Sequence, residues 1–156
     1  MAVPAGAVVR LPGEANSGLV GDFERIFHAV GADTGGAFTL IETREHELGA
    51  GPPLHVHRDA AESFFVLAGE YVMHLDSRDF RCPAGSFIYV PIGMVHTFQS
   101  VQVGSRKLNL YTPAAMEGYF IELGRAIEAG IDEAGLNEIA ERHSMEILGP
   151  VPKGYL

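Results

Sequence analysis

Residues 49–69, GAGPPLHVHRDAAESFFVLAG, and residues 85–100, GSFIYVPIGMVHTFQS, hold three histidines and a glutamate inside two glycine-bounded frames. Side chains on a strand alternate with period two, so the His55-x-His57 pair turns both imidazoles to one face. Glu62 lies five residues on, past a turn, and can return to that face from the next strand. His96, behind the Pro91-x-Gly93 turn, can close the set. Three imidazoles and one carboxylate suit one divalent transition metal and leave coordination positions for water, oxygen or substrate. Such donors admit iron, manganese, nickel, cobalt, copper and zinc; the expected order is iron or manganese, then nickel, then zinc.

The first stretch fits G-x5-H-x-H-x4-E-x6-G at Gly49, His55, His57, Glu62 and Gly69. The second fits G-x5-P-x-G-x2-H-x3-N at Gly85, Pro91, Gly93 and His96, with Ser100 in place of the last asparagine. The chain thereby resembles the cupin superfamily, in which that asparagine is not a metal ligand. The resemblance implies an all-β fold, a single cupin (double-stranded β-helix or jelly-roll) barrel, with His55, His57, Glu62 and His96 as ligands. The short spacer Glu70–Ala84 is similar to that of small single-domain cupins often grouped with quercetin-type dioxygenases. A homodimer is the family's implication.

Working outward, short apolar runs cut by Gly, Pro and Asp predict strands at Ala37–Thr43, Leu54–His57, Ser63–Leu67, Tyr71–Leu75, Ser86–Val90, His96–Ser100 and Lys107–Tyr111. Ala7–Leu11 reads as an early edge strand. Glycines 49, 69, 85 and 93 fall where tight turns require positive φ or close backbone approach. After Thr112 and Pro113, a cap and a first-turn residue, Met116, Phe120, Leu123 and Ile127 recur at helical spacing. Asp132 caps a second short helix. The expected organisation is one domain over 1–156: an N-terminal arm 1–34, a barrel over about 35–113, a helical segment 114–148 and a tail 149–156.

At 156 residues and 47% hydrophobic, the chain can bury a sizeable core. Its net charge of −9 disfavours nucleic acid and anionic membrane as partners. The single cysteine, Cys82, allows no internal disulfide, and the opening residues read as neither signal peptide nor anchor, so a cytoplasmic protein is expected. By alternation Phe64 and Val66 share a face with Glu62, and Phe98 with His96. With Tyr111, and with His74 if it points inward, they form the expected wall of a substrate pocket. Otherwise His74 reads as a satisfied or surface histidine. Arg44 and Arg81 read as solvated turn charges, and Cys82 as a small buried hydrophobe.

Three functions share these ligands. The first is a dioxygenase for a small hydroxylated or enolisable, flavonol-like molecule, with Glu62 as the catalytic proton acceptor. The others are a binding module without turnover, and a metal-dependent isomerase or cyclase. No phosphate loop, nucleotide-binding glycine signature or G-x-S-x-G elbow is present.

Overall fold

The computed structural model describes residues 3–152; the last part of the expected tail, from Lys153 on, lies outside the described residues. The described chain begins with β1 (Asn16–Val20), β2 (Phe23–Ala29), α1 (Gly31–Thr34), β3 (Thr39–Glu45), β4 (Leu54–His57), β5 (Ala61–Ala68) and β6 (Glu70–Leu75). It continues with β7 (Arg78–Pro83), β8 (Phe87–Val90), β9 (His96–Ser100), β10 (Arg106–Thr112), α2 (Glu117–Glu128), α3 (Glu133–Arg142) and β11 (Met145–Gly149). All strand pairs are antiparallel, in two sheets ordered β1-β2-β3-β10-β5-β8 and β11-β4-β9-β6-β7.

Period-two alternation decides what faces inward. On β3 the buried positions are Thr39, Ile41, Thr43 and Glu45; on β10 they are Lys107, Asn109 and Tyr111. The two strands pair with Thr43 opposite Lys107 and Thr39 opposite Tyr111. An apolar cluster built on Phe64, Val66, Tyr71, Met73, Cys82, Ile88 and Val90 fills one part of the interior. A second packs Phe27, Ile41 and Tyr111 against Met116 and Tyr119 at α2, Ile139 and Ala140 of α3, and Met145 of β11. The helices therefore close over one part of the barrel through their apolar faces.

The strands expected from Ala37 to Tyr111 form, with ends shifted by at most two residues. Elsewhere the structure corrects the reading. Ala7–Leu11 is exposed irregular chain, and the expected arm 1–34 contains β1 and β2, which extend the first sheet beyond β3. The segment expected to be helical to residue 148 ends in β11, which pairs with β4. Helix α2 starts at Glu117, not at Pro113, because β10 keeps pairing with β5 through Thr112. Met116, at φ 70°, makes the turn between strand and helix. Asp132 does cap α3, its Oδ1 accepting from Gly135 N at 2.9 Å.

The four frame glycines all have positive φ. Gly69, at 72°, also admits no side chain: a Cβ there would lie 2.8 Å from Ser105 Cα. Gly51 is held as closely, since a Cβ would meet the Phe98 carbonyl oxygen at 1.8 Å.

Candidate metal centre

Strand pairing assembles the site from both sheets. His55 on β4 sits opposite His96 on β9, and Met145 and Ile147 of β11 flank His57 and His55 from the other side. Glu62 comes from β5 in the other sheet, opposite Tyr111 on β10. All four side chains are buried, and one potential ligand atom from each lies within 4.8 Å of every other. Metal–ligand bonds of about 2.1 Å close such a span with shifts of a few tenths of an ångström per side chain.

Hydrogen bonds orient the donors. His55 Nδ1 lies 2.7 Å from the Pro53 carbonyl oxygen, and His96 Nδ1 lies 2.9 Å from that of Met94. A carbonyl only accepts, so each Nδ1 carries its proton and each ring turns its Nε2 toward the cluster. Glu62 Oε2 lies 3.0 Å from His57 Nε2 and 3.1 Å from His96 Nε2. His96 Nε2 and Glu62 Oε2 hold that contact only with a proton or a metal ion between them. The donor set fits a divalent metal.

Burial, then the neighbouring His96 and His57, lower the His55 pKa to about 3, so this ring is an uncharged ligand near neutrality. Burial pushes Glu62 upward, but hydrogen bonds from His57 and His96 overcome it and hold the carboxyl well below its usual range. Tyr111 is pushed well above its ordinary value, by burial first and then by the Glu62 charge, and stays a neutral phenol.

A cavity of about 680 Å³ opens against His55, His57 and Glu62. Its walls are mainly apolar and come from the barrel, α2, α3 and β11. Of the expected pocket residues, Phe98 and Tyr111 line it. Phe64 and Val66 do not; they sit in the apolar cluster with Tyr71 and Met73, with Phe64 edge-on to His96 at 6.4 Å. His74 is buried on the face of β6 opposite Tyr71 and Met73, where it bonds to Asp79 at 2.5 Å and Gln99 at 3.1 Å. Alternation places it away from the pocket wall. Cys82 is buried as expected, and Arg81 is an exposed partner of Glu70.

The sequence reading missed Asn109, whose Nδ2 donates to Glu62 Oε1 at 2.8 Å. It also missed a polar group in the same cavity. Thr43 and Glu45 line the wall, and Glu45 accepts from Lys107 Nζ at 2.7 Å, from Thr43 Oγ1 at 3.0 Å and from Tyr71 OH. Alternation puts Lys107, Asn109 and Tyr111 on one face of β10, but with two polar residues of the three that face reads as the solvent side, so the sequence offered no clear signal.

Residues 38–108 match the cupin domain family model. Over 131 residues, 83% of its length, the chain is 28% identical to the quercetin 2,3-dioxygenase of Bacillus subtilis (strain 168), and it spans 39% of that protein. A predicted oxalate decarboxylase from Thermotoga maritima superposes with a TM-score of 0.61 at 19% identity, covering 68% of this chain and 99% of that one. An RmlC-like cupin from Shewanella frigidimarina gives 0.58 at 18% identity, covering 67% and 89%. Among the described residues no helix is long and apolar enough to cross a membrane. The matched segment, the two-sheet barrel and these structural neighbours show that the chain carries a small cupin-type domain.

Proposed function

We propose that His55, His57, Glu62 and His96 bind one divalent first-row metal, iron or manganese ahead of nickel and zinc, and that the chain is a dioxygenase. Its substrate is a small hydroxylated or enolisable molecule of the flavonol kind. The observation that carries this reading is a cluster of three imidazoles and one carboxylate, of which His55, His57 and Glu62 line a mainly apolar cavity. The likeness to a quercetin 2,3-dioxygenase supports the choice of chemistry.

Phe98 and the apolar faces of α2 and α3 take up the substrate's rings and exclude water. Glu62, kept ionised by the imidazoles and held at Oε1 by Asn109, accepts the proton of the substrate's hydroxyl and leaves an enolate oxygen. Tyr111, a neutral phenol beside that carboxylate, offers a proton to hydrogen-bond either oxygen. A bound metal supplies Lewis acidity at the enolate oxygen and a place for dioxygen.

The test starts with metal content by elemental mass spectrometry on tag-free protein, with His96→Ala alongside. About one metal per chain, lost in the variant, is expected, followed by oxygen uptake coupled to quercetin loss in the wild type. Glu62→Gln should lower that uptake at least a hundredfold. Metal retention in His96→Ala would refute the ligand set. Saturable quercetin binding without oxygen uptake would leave a binding protein in place of the enzyme.

A further inference from the structure

The cavity has a second polar station that the metal chemistry does not use. Glu45 and Thr43 line its wall, while Lys107 and Tyr71, both fully buried, hold Glu45 from outside the lining. Lys107 Nζ donates to Thr43 Oγ1 at 2.5 Å and to Glu45 Oε1 at 2.7 Å, and lies over the Phe98 ring at 3.8 Å from its centroid. A buried ion pair of this kind usually adds little to stability compared with apolar residues of the same volume. Its placement on a cavity wall points to recognition.

Hydrogen-bond capacity narrows what the station can recognise. A carboxylate offers about four acceptor positions. On Glu45, Lys107 and Thr43 take two at Oε1, and Tyr71 takes one at Oε2. One acceptor position remains, on Oε2. The Lys107 charge offsets that of Glu45, so the station suits a neutral O–H donor better than a cation. Strand register gives the reach. Lys107 pairs with Thr43, and Tyr111, four residues along β10, pairs with Glu62. From Lys107 to Tyr111 this is about 13 Å of strand, and Glu45, two residues beyond Thr43 on β3, is tied back to that level through Thr43 Oγ1 and Lys107 Nζ. Phe98 lines the wall and also packs on Lys107, and Asn109 lies between the stations on β10.

From this we infer that the cavity reads its ligand at two ends, with Glu45 accepting from a hydroxyl remote from the metal-binding oxygen. The ligand class is an elongated, mainly aromatic molecule with a chelating oxygen pair at one end and a neutral hydroxyl at the other. Glu45 touches the ligand; Lys107 and Tyr71 are positioning residues. The inference rests on the metal reading above.

The experiment uses the nickel-loaded chain without oxygen, so that no turnover competes with binding. Calorimetry compares quercetin, hydroxylated at both ends, with 3-hydroxyflavone, which has the chelating end alone. The wild type should bind quercetin about tenfold more tightly, the worth of one hydrogen bond to a buried charged acceptor. The paired substitution Glu45→Leu with Lys107→Met should bring the two affinities within twofold while nickel stoichiometry stays at one. A second comparison needs no variant: quercetin methylated at every hydroxyl but the 3-hydroxyl should lose the same factor in the wild type. Equal affinities in the wild type, or a preference that survives either the paired substitution or the methylation, would overturn the inference. Nickel binding without flavonol binding would also overturn it while leaving the metal site standing. Failure to bind nickel would remove the metal reading itself, and the inference with it.

Discussion

Asn109 settles which oxygen of Glu62 meets the imidazoles, because its Nδ2 occupies Oε1 and leaves Oε2 to His57 and His96. Asn109→Leu removes that donor at nearly constant volume and should weaken metal binding ten- to a hundredfold, as losses of hydrogen bonds to metal ligands do. Competition with a chromophoric chelator measures it, and unchanged affinity would mean that Glu62 needs no such support. Acid acts on the same cluster. His55 titrates at about 3 in the fold against an ordinary 6.5, so the unfolded chain binds the extra proton below pH 6.5. Its contribution is complete above pH 6.5 and is lost as pH falls toward 3. Glu62, also lowered, adds a loss of the same sign below its unfolded value of 4.5. Urea midpoints of metal-free protein should therefore fall as pH drops below 6.5, by up to about 1.4 kcal/mol per unit for each proton taken up. A stability flat from pH 7 to 4 would contradict the buried neutral imidazole. All four cluster residues were legible before folding, because their spacing is local to two motifs. Asn109 was not. It stands between Leu108 and Leu110, and ordinary burial preferences would turn the leucines inward and the amide out.

Strands and helices repeat that division between local and distant causes. β4 and β9 were readable because turn glycines and apolar alternation agreed within a few residues. β7 was missed because its sequence, RDFRCP, is charged and mostly exposed; it is an edge strand specified by its pairing with β6. β11 follows a helix and exists through its partner β4. β1 and β2 likewise take their form from each other and from β3. Two predictions belong at this scale. Gly69→Ala forces a side chain into positive φ and against Ser105, and should cost about 1–3 kcal/mol in urea denaturation. A smaller loss would mean that the 104–106 turn yields. Asp132→Ala removes the α3 cap and should cost about 1 kcal/mol, seen as a melting temperature lower by a few degrees. No change there would show that tertiary packing alone holds the helix.

Across the whole molecule, a polar row runs through the interior from Lys107 to the imidazoles, and the fold has to stabilise it. Glu45→Leu alone should cost 3–5 kcal/mol, roughly, because it strands the Lys107 charge in the core. Adding Lys107→Met should recover that loss and leave the chain at least as stable as wild type, as denaturant midpoints would register. Failure to recover would mean that the pair, and not apolar packing, holds that part of the barrel together. The donor geometry carries a separate mechanical implication. Three imidazoles belong to one sheet and the carboxylate to the other. A cation gripped by all four is a rivet through both layers of the sandwich. Supplying metal should then slow amide exchange on β4, β9 and β5 together, and the melting temperature should climb with metal concentration.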